Sequence, residues 1–204
     1  MNDYTVNLIT DATAEPITLA DAKKHCNVLA AMTDDDTLIG GLITAARNAV
    51  EKEIQRPIGS HTYQLLLRYW PMKIEFPFPP LIDVTKITYR LYGGTVNTLL
   101  DKGATPPIAS TVFTVDPLGD PGEMWVRPTE LWPADILDQG FPIVITYTAG
   151  ITVLPSGLLL AIKQLLATWY ENREAVLLGR VNQGYEMPMS VQWLCDKFAF
   201  KEFG

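Results

Sequence analysis

"YRLYGGTVNTLL", residues 89–100, decides how the middle of the chain is read. Aromatic and β-branched residues flank Gly93-Gly94, where positive φ is accessible at little steric cost, so the stretch predicts a hairpin turning at that pair. Around it lie "HTYQLLLRY", "KIEF", "VTKITYRL", "VFTV", "EMWVR" and "PIVITYT", short runs separated by "PFPP", "KGATPP" and "DPLGDPG". Such punctuation predicts antiparallel β structure over residues 59–148. Pro77, Pro79 and Pro80 suit loops or strand edges, because proline has no N–H for a ladder.

On both sides of this block the apolar period changes from two to between three and four. Thr18 and Asp21 have capping-box spacing, and Leu19, Ala22, Cys26 and Leu29 fall on one helical face. "TDDDTLIGGLITAARNAVEKEIQRP", residues 33–57, repeats the pattern. Thr33 is the expected N-cap, and Asp34, Asp35 and Asp36 complement the positive helix end. Leu38, Leu42, Ala45, Ala46, Ala49 and Val50 form the expected stripe, and Pro57 ends the helix. Gly40-Gly41 inside it costs about 1 kcal/mol per glycine relative to alanine. Either the cost is tolerated at a kink, or a second helix or a neighbouring subunit crosses closely there.

After Pro155, Leu158, Ile162, Leu165, Trp169, Arg173 and Val176 recur at steps of three and four, with Leu159, Leu166 and Tyr170 widening the stripe. A long helix ending near Gly179 is expected. The expected fold class is therefore α+β: a helical bundle, two N-terminal helices plus a long C-terminal helix, with an inserted antiparallel β unit. Its parts are a helical part over 1–58, a β unit over 59–148, and 149–204 completing the helical part with an aromatic-rich tail.

Composition limits function. The 204 residues are 48% hydrophobic, only 19% charged, and carry a net charge of −7. A protein that grips phosphate backbones needs a basic face, which an acidic chain does not suggest. Cys26 and Cys195 stand in apolar surroundings and read as buried thiols; without a CxxC pair, a thiolate zinc site is not expected. The N-terminal residues lack the basic start and apolar run of a signal peptide, and no stretch reaches the roughly 18 apolar residues of a membrane span. A soluble cytoplasmic product with no membrane partner is expected.

No catalytic constellation emerges. His25 sits between Lys24 and Cys26, and adjacent helical residues do not face each other. His61 reads as a strand-end residue. HExxH, GxSxG, GxxxxGK[ST] and GxGxxG are all missing. Asp34-Asp35-Asp36 lacks the spacing of a calcium loop and reads as helix capping. The expectation is a non-enzyme with no catalytic residue, no cofactor and no metal. Trp169 and Tyr170 differ by about 100° around a helix axis, so each ring needs cover from a different neighbour.

"DDDTLIGGLITAARNAVEKEIQRPI" resembles the second helix of tailed-phage head–tail connector (adaptor, head-completion) proteins. "VTKITYRLYGGTVNTL", "VITYTAG" and "PSGLLLAIKQLLATWYENREAV" look like that family's later β segments and long helix, and "MPMSVQWLCDKF" like its ending. The resemblance runs in order from Leu19 onward; the "LDKGATPPIASTVF" loop and the last residues depart from it. It implies a structural protein of the virion head–tail junction, assembled in the host cytoplasm. Usually twelve copies form a ring under the capsid portal and extend the DNA channel, which DNA traverses without specific binding. Some members are labelled DNA-packaging proteins. The implied partners are the portal protein, other copies of the chain, and the next head-completion or tail protein.

On that reading Gly40, Gly41, Trp169, Tyr170 and Arg173 are candidates for the subunit interface. Met187, Trp193, Leu194, Phe198 and Phe200 are candidates for portal docking, the alternative being that the tail packs back on its own helices. A non-catalytic binding module, a β recognition domain on a helical stalk, is the competing function. A small hydrolase built from scattered acids stands third.

Overall fold

The computed structural model describes residues 3–137, 139–172 and 187–200. Two compact units divide the chain: Met1–Thr13 with Ser60–Ile151, and Ala14–Gly59 with Thr152–Gly204.

The first unit holds eight strands among the described residues: β1 (Tyr4–Thr10), β2 (His61–Leu67), β3 (Lys73–Glu75), β4 (Leu81–Arg90), β5 (Val96–Asp101), β6 (Phe113–Asp116), β7 (Glu123–Val126) and β8 (Ile143–Ala149). They form a five-stranded sheet, β1-β2-β8-β4-β5, and a three-stranded sheet, β3-β7-β6. All pairs are antiparallel.

The strongest specification of register lies between β2 and β8. Each buries every second residue. Buried residues stand directly opposite one another: His61 with Ala149, Tyr63 with Tyr147, Leu65 with Ile145, Leu67 with Ile143. A one-residue slip would turn both sets to the other face, so this pairing resists slippage. In β4 the buried residues Leu81, Val84 and Ile87 come every third position. The ladder explains this: irregularities between Leu81 and Asp83 and between Val84 and Lys86 each re-aim the side chains.

The chain turns at Gly93-Gly94. Leu91 N–H donates to Thr95 O and Gly94 N–H to Leu91 O, with Gly94 at φ +81°. Pro77, Pro79 and Pro80 all fall between β3 and β4. Gly122 marks a close approach, since a Cβ there would overlap the Leu81 side chain. Gly122→Ala is expected to destabilise the protein by about 1–3 kcal/mol through this overpacking. A lowered urea midpoint checks it, and an unchanged midpoint would show that the β4 backbone yields freely.

The second unit carries α1 (Leu19–His25), α2 (Asp36–Ile54), α3 (Ser156–Glu171) and α4 (Met189–Asp196). Thr18 caps α1 as its spacing with Asp21 suggests, its hydroxyl accepting from Asp21 N–H at 3.1 Å. The N-cap of α2 is Asp35, not Thr33, and it makes no side-chain cap bond. The buried face of α2 is Ile39, Ile43, Ala46, Arg47, Val50 and Ile54, rotated by about one residue from the expected stripe. Leu38 and Ala45 are exposed.

The helical-bundle expectation is corrected by this architecture. The protein remains a mixture of α and β, but eight strands in two antiparallel sheets make the β part far more than an insertion, and it includes the N-terminal strand β1. The C-terminal helix is also not long: α3 has 16 residues and α2 has 19. Asn172 leaves helical geometry at φ −108°, ψ 70°, and both its backbone N–H and its side-chain amide donate to Thr168 O. A side chain that competes for backbone partners in this way favours a helix end. Val176 and Gly179 lie outside the described residues.

Candidate assembly surfaces

The second unit is organised around two buried cations that the sequence pattern did not single out. Arg47 is 1% exposed. Its Nε donates to Glu15 Oε2 at 3.0 Å and its Nη1 to Glu51 Oε1 at 3.1 Å. Glu51 Oε1 also accepts Ile58 N–H at 2.7 Å, and Thr44 donates to Glu15 at 2.8 Å. Arg47 therefore ties the segment before α1 to the segment after α2. A detectable signal existed: Arg47 stands one turn from Ile43 and from Val50 on the buried face, with Glu51 four residues on.

Lys23, also buried, donates to Ala30 O at 3.2 Å, to Met32 O, and to Asp36 Oδ1 at 2.7 Å. Three donors meet three acceptors, so the ammonium is satisfied. The Asp34-Asp35-Asp36 run acts as an anchor here. Asp36 receives Lys23, and Asp35 Oδ2 accepts the Tyr170 hydroxyl of α3 at 2.7 Å. Among the described residues no group of three or more His, Cys, Asp or Glu side chains is placed to hold a metal ion.

Burial favours the protonated form of both thiols. Burial, with smaller contributions from Glu53 and Asp196, pushes Cys195 up to about 11; burial and then Glu171 raise Cys26. His61 is buried at the start of β2, 2.8 Å from Asp11.

The interface candidates take different positions. Gly41 is exposed and Gly40 half-buried, and a Cβ on either would meet nothing within 4 Å. No close crossing within the described residues explains them. Trp169 and Tyr170 are half-buried, with the Tyr170 hydroxyl engaged by Asp35. Arg173 lies outside the described residues.

The docking candidates also divide. Phe198 and Leu194 lie over Gly157 of α3, where a Cβ would come within 3.1 Å of Phe198 Cε2. Phe200 N–H donates to Ile54 O at 2.9 Å, and its ring lies under Arg56. These three pack back on the helices. Trp193 is 60% exposed on α4 with Lys197 Nζ 4.1 Å from its ring centre, and Met189 nearby is 86% exposed. Met187 is half-buried. No helix among the described residues is long and apolar enough to cross a membrane.

Comparison with known proteins adds to this geometry. The family model for phage gp6-like head-tail connector proteins matches residues 16–97, and the connector resemblance read from the sequence holds there. No curated protein matches the chain. Among solved structures, a chain from the neck of an empty GTA particle computed with C6 symmetry is similar at TM-score 0.73 and 19% identity, covering 97% of this chain and 96% of that one. A chain from the virion of the native gene transfer agent (GTA) particle gives 0.69 and 19%, with 96% and 95% covered. A chain from the neck of the native GTA particle computed with C12 symmetry gives 0.69 and 19%, with 97% and 96% covered. At such identity the likeness establishes a shared fold, over nearly the whole of each chain.

Proposed function

We propose, from the premise that residues 16–97 match the gp6-like head–tail connector family, that this chain is a structural, non-catalytic virion protein of the head–tail junction. Its copies form a ring beneath the portal, extend the DNA channel and receive the next head-completion or tail protein. The observation carrying this reading is the end-to-end likeness to chains from particle necks, joined to a connector-family match over the first part of the chain.

Physical features agree with it. A net charge of −7 suits a channel wall along which DNA slides without being held. Gly40 and Gly41 leave an open patch on α2 for a neighbouring subunit, with Trp169 and Tyr170 as further interface candidates. Trp193, exposed on α4, is the tail's best remaining candidate for the portal; Leu194, Phe198 and Phe200 support the helix that presents it.

The purified protein mixed with its cognate portal is expected to give one large species in native mass measurement, heavier than the portal by a ring of subunits. Trp193→Ala is expected to weaken that association at least tenfold while leaving the melting temperature within a few degrees. A monomer that ignores the portal would favour the binding-module alternative. A Trp193 variant that binds normally would move the docking surface off α4.

A further inference from the structure

We propose that the five-stranded sheet continues from one copy of this chain into the next, the outer edge of β5 pairing in parallel with the outer edge of β1 of a second copy. This rests on the ring reading above.

A cyclic ring needs two different, mutually complementary surfaces on every copy. The two ends of one sheet provide such a pair. β1 and β5 are its terminal strands, and among the described residues no further strand pairs with either. Edge strands are ordinarily guarded against pairing by charge, proline, shortness or bulges. β1, "YTVNLIT", carries neither charge nor proline over 7 residues; its one irregularity, between Leu8 and Thr10, leaves the start regular. β5, "VNTLLD", has no charge before Asp101, where a single bridge to Ile108 closes its end; its ladder with β4 is irregular at Leu99, which leaves residues 96–98 regular. Both strands also expose apolar side chains: Tyr4 is 50% and Leu8 54% exposed on β1, and Val96 56% on β5.

The polarity follows from the topology. Each step from β1 through β2, β8 and β4 to β5 is antiparallel, so β1 and β5 run the same way. A neighbour turned by one twelfth of a circle keeps its strand directions nearly unchanged, which makes the junction parallel. Parallel pairs are slightly weaker per residue than antiparallel ones, so this seam adds to an interface made elsewhere.

Cysteine pairs test it in the ring assembled on the portal. Tyr4→Cys is combined with Val96→Cys or with Thr98→Cys, two positions on one face of β5 that allow for the register, and oxidised. A ladder of covalent multiples that collapses on reduction is expected from at least one pair, and none from the wild type with its native thiols. Ile9→Cys with Val96→Cys is expected to stay uncrosslinked, because five residues along a parallel strand separate the thiols by roughly 16 Å. A ring of normal mass in which neither Tyr4 pair crosslinks overturns the proposal and leaves the ring reading intact. Crosslinking by the Ile9 pair alone, which leaves the regular start of β1 unpaired with β5, or a dimer from Tyr4→Cys by itself, which pairs β1 with β1, also overturns it. If no ring forms, the ring reading fails and this inference with it.

Discussion

Arg47→Ala is expected to lower unfolding stability by about 3–5 kcal/mol, the range for breaking a buried ion pair by removing one partner. The guanidinium is almost wholly enclosed, and the carboxylates it leaves behind differ in their access to water. Glu51, at 17% exposed, is the more enclosed and loses more by the removal, while Glu15, at 35%, regains part of its hydration. Arg47→Lys is expected to recover only part of the loss, since one ammonium cannot reproduce the fork to two carboxylates. Arg47→Met with Glu51→Gln should lose less than Arg47→Ala, because the more enclosed carboxylate is neutralised and only Glu15, the more exposed one, loses its guanidinium. Urea unfolding followed by circular dichroism measures all three. Equal midpoints for Arg47→Ala and wild type would mean the network contributes nothing net.

Tyr147→Ala is the second large effect, expected at about 3–5 kcal/mol, as for other aromatic-to-alanine changes in a core. Tyr147 is fully buried in the middle strand of the larger sheet, its ring 5.5 Å from Tyr63 and 5.0 Å from Phe76. Its hydroxyl donates to Pro77 O at 2.9 Å, holding the proline-rich connection between β3 and β4. Tyr147→Phe keeps the packing and loses that bond, so about 1 kcal/mol is expected. Burial raises the phenol above its ordinary value and keeps it neutral in the fold. The unfolded chain ionises near pH 10 while the folded one retains its proton, so this residue makes stability fall as pH rises above about 10. That extra fall should be absent in Tyr147→Phe. Its persistence there would assign the alkaline loss to other groups.

Much of the fold was legible in the sequence, and each failure has a physical cause. β2 and β8 were readable because one face is buried and the other is not, which writes the period of two directly into "HTYQLLL" and "IVITYTA". β1 was not, since it lies at the edge with almost every residue exposed and has no alternation to see. The face of α2 was misjudged by one residue because Ala45 and Ala49 count as apolar on any scale and Arg47 does not. Yet Arg47 is enclosed by its partners, while Ala45 faces solvent. The C-terminal helix looked longer because its apolar spacing continues past Asn172, whose side chain closes the helix.

The assembly surfaces were legible only as residue types. Sequence spacing placed Trp193, Leu194, Phe198 and Phe200 in one tail without showing that three pack inward and one faces out. Phe198 packs over Gly157 on α3, where a Cβ would crowd it, while Trp193 on α4 stays exposed.

The most direct test of the central claim is electron cryomicroscopy of the particle neck, with the reconstruction resolved enough to trace this chain. A closed ring of identical copies at the head–tail junction is expected, seated against the portal, each copy showing the β1-β2-β8-β4-β5 sheet. A junction built without this chain, or one holding it as isolated copies that touch no neighbour, would contradict it.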